Sequence, residues 1–354
     1  MRMLLVLAVL PALVTGGVPS AQMTVPRAAH TATALPSGNV LLAGGCSRDS
    51  CELDERGATT ELFDLATSRF EPGPSMSVER VSHLAAALPD GSVLVAGGWT
   101  KRGLSRTAER YDPDDGAFHP VGQLVTARGA ATATRLRDGR ILIVGGTGGA
   151  GPLRTAELYL PATRAFEATG SLAAPRQAHT AVRLRDGRVL VVGGSNGGGV
   201  LASTELYDPR TGRFTPGPRL GTARHKHAAV TLRNGSVLVL GGSDARDYFG
   251  RYATAELLRL GTPRFKPTGT MAVRRFKLGD SVSLLADGRV LVGGGDPLLE
   301  VYDPKRGAFR PAGRTGHELA FATATRLKDG RVLLAGGYDQ DLRINRTASI
   351  IAPR

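Results

Sequence analysis

The sequence predicts an all-β fold, a seven-bladed β-propeller of four-stranded blades, and three observations predict it. Glycine doublets recur seven times, beginning at Gly44, Gly97, Gly145, Gly193, Gly241, Gly294 and Gly336, with intervals of 53, 48, 48, 48, 53 and 42 residues. A period of this size is that of propeller blades. Ahead of each doublet lies a short apolar run, such as Val40-Leu41-Leu42-Ala43 or Val237-Leu238-Val239-Leu240. A strand apolar on both faces is covered on both faces, as when twisted sheets stack radially. The third observation is composition: 354 residues with 47 glycines and 42% hydrophobic residues are too apolar for disorder and too glycine-rich for a helical bundle.

Each blade can be justified strand by strand. The inner strand is rich in alanine and threonine (HTATAL, ATATRL, HTAVRL), small side chains that suit a crowded axis. A tight turn follows at Ser37-Gly38, Asp90-Gly91, Asp138-Gly139, Asp186-Gly187, Asn234-Gly235, Asp287-Gly288 and Asp329-Gly330. Such pairs supply the positive φ angles of a two-residue hairpin. The apolar run is the second strand and ends at the glycine doublet. After a loop of varying length comes a third strand opening on glutamate (Glu61, Glu109, Glu157, Glu205, Glu256, Glu300), and then an outer strand opening on Phe70, Phe118, Phe166, Phe214, Phe265 or Phe309. Burying each of these rings contributes at most roughly 4 to 6 kcal/mol, so they read as core between neighbouring blades.

The seventh repeat ends at Arg354 after its third strand, and its missing outer strand is found at the other terminus. Met23-Thr24-Val25-Pro26-Arg27 is spaced like Met76-Ser77-Val78-Glu79-Arg80, so the residues just before Met23 are expected to complete the last blade. That N-terminal strand closes the ring and removes an edge. Met1 to Val14 is one arginine followed by an apolar run too short to span a bilayer with a useful flank, and small residues follow it. The expected organisation is a signal peptide over 1–16 and a single propeller over 17–354, which implies a secreted or periplasmic protein with no membrane span. In such a compartment Cys46 and Cys51 are expected to close a small disulfide, with free thiols the alternative.

The repeat R-x-x-H-x-A-x-x-L-x-D-G-x-V-L-x-x-G-G, followed by T-A-E-L-Y-D-P and F-x-P-x-G, resembles the kelch motif in its bacterial, galactose-oxidase-like form. The resemblance spans nearly the whole chain after the signal and implies a kelch-type propeller. Kelch propellers include enzymes and adaptors alike, so the function expected is that of a binding or interaction scaffold acting through its variable-loop face. A carbohydrate-active oxidase or lyase using the same face is the alternative. Galactose oxidase and glyoxal oxidase use copper held by two tyrosines, one cross-linked to a cysteine, and two histidines. One of their Tyr-His pairs occupies the motif position held here by Ala29-His30, Ser82-His83, Ala178-His179 and Lys226-His227, none of which has the tyrosine. No metal and no other cofactor is expected on that basis.

Candidate binding residues fall in two groups. Arg27, Arg80, Arg128, Arg176, Arg224 and Arg275 sit where one blade hands over to the next, and should ring one mouth of the channel. They are an anion funnel or one half of a set of structural ion pairs. The glutamates of the third strands match them blade for blade, and the seventh blade lacks both, having Leu319 and Ser349. That pattern favours pairing within a blade, Arg176 with Glu205 for example, because six unpaired cations so close would repel. The second group is aromatic and lies in the variable loops: Trp99, Tyr248 and Tyr338, with Phe249 and Tyr252 beside Tyr248. These suit stacking on a sugar, although Trp99 could equally cap a neighbouring blade. His30, His83, His179 and His227, three residues after their arginines, are expected on the opposite strand face, pointing between blades and bonding backbone.

The formal net charge of +14 is spread along the repeats rather than gathered in one run, which specifies no nucleic acid. The partners expected are a protein or an acidic glycan on the loop face, with the chain itself a monomer. Asp244 with Asp247, and Asp339 with Asp341, lack the spaced ligand set of a calcium loop and read as solvated carboxylates. The glycine-rich stretch 145–151 leads into another strand, so it is a loop rather than a phosphate cradle.

Overall fold

A computed structural model describes residues 19–259 and 261–352. The expected signal segment lies outside the described residues. The described chain forms seven four-stranded antiparallel sheets, six of them built from one continuous stretch of chain and the seventh from both ends, plus two short two-stranded hairpins in the loops. Blade 1 runs Thr31–Ala34, Val40–Ala43, Thr60–Asp64 and Arg69–Pro72. The inner strands of blades 2 to 6 are Leu84–Ala87, Thr132–Arg135, Thr180–Arg183, Ala228–Thr231 and Val282–Leu284. Blade 7 takes Thr323–Arg326, Val332–Ala335 and Thr347–Ile351 from the C-terminus and Ser20–Gln22 from the N-terminus. Ala21 faces Ala348 in that closing pair, and Ile350 donates its N–H to the Pro19 carbonyl at 2.8 Å.

Seven apolar clusters correspond to seven blade boundaries, which is why the sheets stack as a ring. Leu84, Leu94 and Leu124 from blade 2 and its exit meet Ile141, Ile143 and Tyr159 of blade 3, for instance. Leu327, Leu333 and Ile350 of blade 7 meet Val40, Leu42 and Phe63 of blade 1 across the closure, with Met23 between them. The second strands are buried on both faces in every blade, as their unbroken apolar sequence requires. The outer-strand phenylalanines pack first within their own blade. Phe166 lies 4.9 Å from Tyr159, and Phe214 4.9 Å from Tyr207, centroid to centroid. The tyrosine of each such pair then carries the contact to the neighbouring blade.

A second latch crosses the closure on the loop face. Cys46 and Cys51 are joined in a disulfide, and the turn they enclose touches the last blade's loop. Ser50 donates its N–H to the Leu342 carbonyl at 3.1 Å, and Asp49 accepts the Ile344 N–H at 3.0 Å. Among the described residues no helix is long and apolar enough to cross a membrane.

Because consecutive strands are antiparallel, loops of two kinds separate onto opposite faces. The Asp-Gly turns and the turns joining third to outer strands form a hairpin face. The loops after the glycine doublets and the connections between blades form a loop face.

Candidate functional site

The six arginines build the loop face from beneath. Each is at most 1% exposed and bonded to the glutamate of its own blade: Arg27 to Glu61, Arg80 to Glu109, Arg128 to Glu157, Arg176 to Glu205, Arg224 to Glu256 and Arg275 to Glu300, at 2.6 to 3.2 Å. Other donors go to backbone carbonyls and to neighbouring hydroxyls such as Thr59 and Thr107, while Nε of Arg80, Arg176 and Arg224 is buried without a hydrogen-bond partner. Arg176 reaches the carbonyls of Gly193 and Ser203 at 2.8 and 3.2 Å, tying the first glycine of the doublet to the third strand. Glu205 in turn accepts the N–H groups of Ala173 and Ala174, so the incoming connection is stapled to the blade. Blade 6 does the same with its two extra residues, Arg275 meeting Gly294 at 2.8 Å. Burial works against the charge on each guanidinium and the paired glutamate works for it. With their donors committed inward, the six side chains are a frame beneath the mouth, and its surface is made by other residues.

That surface begins two residues after each arginine. Ala29, Ser82, Ala130, Ala178, Lys226, Lys277 and Phe321, one per blade, all have φ between 49° and 55°. A left-handed backbone at a non-glycine residue costs of order 1 kcal/mol. Here it turns the peptide groups into a collar around the axis, five of its residues donating to the collar residue of the blade before. Ser82 donates to Ala29 at 3.0 Å, Ala130 to Ser82 at 2.9 Å and Lys226 to Ala178 at 2.9 Å. Phe321 donates to Lys277 and Ala29 to Phe321, both at 3.2 Å, across the ring closure.

The collar surrounds a funnel of about 740 Å³ that descends along the inner strands. Its first four positions carry alanine or serine, whereas the last three carry Lys226, Lys277 and Phe321. Around Lys277 the rings of Phe276, Tyr338 and Phe321 lie 4.8, 5.0 and 5.6 Å from Nζ, and Nζ donates to the Tyr338 hydroxyl at 2.7 Å. Burial lowers the pKa of the Lys277 amine and pushes the Tyr338 phenol up to about 12, so the phenol stays protonated. Lys226 is ion-paired to Asp247 at 2.7 Å, while among the described residues Lys277 makes no ion pair. Asp247 and Glu318 act on the Lys277 charge from a distance, and the carboxyl of Asp280, its pKa raised by burial, lines the same funnel.

Trp99, half-buried, packs on the same apolar cluster as Tyr338 and Phe321. Its ring covers Gly129 of the next connection, so that a Cβ there would run into it, and its other side lines the cavity. Tyr248 sits higher on the rim, edge-on to Phe249 at 5.5 Å and to Phe276 at 5.9 Å, with the Arg251 guanidinium 4.0 Å over its ring. Tyr338 is 7% exposed, its hydroxyl turned to Lys277. The structure thus brings Trp99 to the funnel wall, while Tyr338 lies behind it against Lys277 and Tyr248 packs on Phe276. Lys277, Phe276 and Phe321 escape a search by residue type. The signal for them is positional: the slot before each motif histidine is small in four blades and large in three.

The four motif histidines point between blades, as the strand alternation requires, but their ring partners differ from the backbone groups expected. Nε2 of His30, His83, His179 and His227 meets the hydroxyl of Thr323, Thr31, Thr132 and Thr180 respectively, each on the preceding blade, at 2.9 to 3.1 Å. Inner-strand threonine is thereby a partner as well as a small residue. Burial is the main cause that holds His30, His83 and His179 down to about 3, with His227 also well below its ordinary value. Each ring is thus neutral and committed to its own boundary. Among the described residues no group of three or more His, Cys, Asp or Glu is arranged to hold a metal ion. Asp244 holds Arg246 at 2.6 Å, and Asp339 accepts the N–H groups of Asp341 and Arg343.

A closed ring of seven stapled blades with a collared funnel defines a β-propeller of the repeat type. Residues 80–124 and 178–221 match the kelch motif, within a propeller of seven blades. A search of curated proteins finds no match. Among solved structures the chain is similar to a fungal alcohol oxidase of the AA5 family, described as catalytically diverse and in complex with copper. The two share 19% identity at a TM-score of 0.75, over 95% of this chain and 76% of the oxidase. At that identity the likeness shows the fold alone.

Proposed function

We propose that this protein is an exported binding scaffold whose loop-face funnel receives the acidic end of a glycan. The observation that carries the reading is the one-sided collar. Four small residues leave the lumen open on blades 1 to 4, and on blades 5 to 7 stands an ammonium framed by rings that, among the described residues, makes no direct ion pair. A carboxylated sugar presents the complementary pair of groups, an anion for Lys277 and an apolar ring face for Trp99. The Cys46–Cys51 disulfide supports an oxidising compartment. The test is a glycan array probed with the mature protein, with Lys277→Ala and with Trp99→Ala. Selective capture of uronate-containing glycans, lost in both variants, is the expected result. Capture that survives both substitutions removes the funnel from the reading.

The second reading, an enzyme acting on a sugar at the same mouth, is favoured by the Lys277–Tyr338 contact of 2.7 Å. An amine with a lowered pKa beside a protonated phenol is a general base and acid within reach of one cavity. Turnover of an acidic oligosaccharide that is abolished by Lys277→Ala and by Tyr338→Phe decides for it. Binding without turnover decides for the scaffold.

A further inference from the structure

The hairpin face gathers what the sequence scatters. The inner strands of blades 3, 4 and 7 end on Arg135, Arg183 and Arg326 at the far mouth of the channel. Two residues further on, in or beside the Asp-Gly turns, stand Arg137, Arg185 and Lys328, with Arg233 at the same position in blade 5. All seven side chains are exposed, and among the described residues none makes an ion pair. The carboxylates closest in sequence are already engaged: Asp138 holds Arg140, Asp186 holds Arg188 and Asp329 holds Arg331, each at 2.6 to 2.7 Å. Asp208 caps its own turn and holds Arg210 on the outer rim. Seven uncompensated cations, half the net charge of +14, therefore crowd one mouth of the ring.

Their arrangement selects among anions. Arg137 donates to the Arg185 carbonyl and Arg233 to the Ala286 carbonyl, each reaching over the boundary to the next blade, while Arg183 reaches back to the Arg135 carbonyl at 2.8 Å. The cations thus form a continuous arc over blades 3 to 5 instead of separate points. Beside the arc a groove of about 660 Å³ runs between blades 3 and 4, lined by Arg137 and by three pairs, Arg140 with Asp138, Arg188 with Asp186 and Arg210 with Asp208. A concave groove with Arg137 at its edge admits a chain more readily than a flat bilayer. The exposed large apolar side chains, Val125, Phe249 and Leu342, all belong to loop-face segments, so this face has neither an apolar anchor for lipid nor a ring for base stacking.

We propose that the hairpin face binds a stretch of linear acidic polysaccharide, with its carboxylates or sulfates carried by the arc from Arg135 and Arg137 through Arg183 and Arg185 to Arg233. The site is separate from the loop-face funnel and does not depend on the function proposed for it.

The experiment measures affinity of the full mature chain for polygalacturonate and for a sulfated polysaccharide at rising salt. DNA duplex and phosphatidylglycerol vesicles serve as competing polyanions. Expected is binding to at least one polysaccharide that weakens steeply with salt. Arg137→Ala/Arg185→Ala/Arg233→Ala should bind at least about tenfold more weakly with a flatter salt response. The relative strength of the two polysaccharides identifies the anionic group. Should the triple variant fold poorly, protection of these arginines from phenylglyoxal by polysaccharide, mapped on the parent chain, gives the same answer. Unchanged affinity in a folded triple variant, absence of protection, or DNA or vesicles binding as tightly as polysaccharide would overturn the proposal.

Discussion

Blades 1 to 4 and blades 5 to 7 share one backbone and differ in what they hang on it. The collar position has the same left-handed conformation in all seven, from Ala29 and Ser82 to Lys277 and Phe321. It cannot therefore be a mark of function in one half and of strain in the other. The ring needs the conformation so that each blade can bond to its neighbour, and the side chain is left free. Where that freedom is unused the residue is alanine or serine; where it is used, a lysine is set among aromatic rings. The frame is common property, and specificity resides in the departures from it.

The comparison can be broken most forcefully at the frame. Glu205→Ala strands Arg176 in a site where it is fully buried, and a loss of about 3 to 5 kcal/mol is expected in urea unfolding. Blade 7 shows how the same node is built without charge, from Leu319 and Ser349. Arg176→Leu with Glu205→Ser, which imports that solution, should recover a substantial part of the loss. If the single substitution costs less than about 1 kcal/mol, the pairs are incidental to the fold.

Acid tests the frame at four boundaries together. The folded state keeps His30, His83 and His179 neutral down to about 3, whereas the unfolded chain protonates near 6.5. Stability is then fully present above about pH 6.5 and is lost progressively as pH falls towards 3. His179→Gln removes one of these groups, so a flatter dependence of the thermal midpoint on pH is the expected outcome. The ring closure is next. Cys46→Ala with Cys51→Ala opens a short loop and should cost at most about 2 to 3 kcal/mol, read as a lower midpoint that reducing agent reproduces in the parent. The smallest effect belongs to the departures themselves. Lys277→Ala and Ala178→Lys should each change stability by less than about 1 kcal/mol, because neither alters the collar backbone. A large loss in Lys277→Ala would make the lysine part of the frame.

Much of this frame is legible in the sequence because repetition supplies the controls that one copy lacks. The joint absence of arginine and glutamate from the seventh repeat pointed to the pairing that Arg176 and Glu205 display at 2.6 Å. The spacing of Met23 against Met76 pointed to the closing strand at Ser20–Gln22. The histidine partners were hidden because a threonine in an inner strand looks like any other small residue. Its role as acceptor or donor depends on the blade beside it, forty-seven residues away for Thr132 and His179.

The candidate sites divide in the same way. By itself the sequence determined the number of blades and the side chains that staple six of them, since each is a relation repeated at fixed spacing; the tight turns it located are longer than the two-residue hairpins expected, Leu35 bonding to Asn39 with a positive φ at Gly38 but not at Ser37. Only the tertiary structure decided that Lys277 meets Tyr338 sixty-one residues on, and that arginines from successive repeats share one mouth. Closure of the ring turns equivalent positions in separate repeats into neighbours. A charge that is dilute along the chain becomes concentrated around an axis, and no single repeat contains that axis.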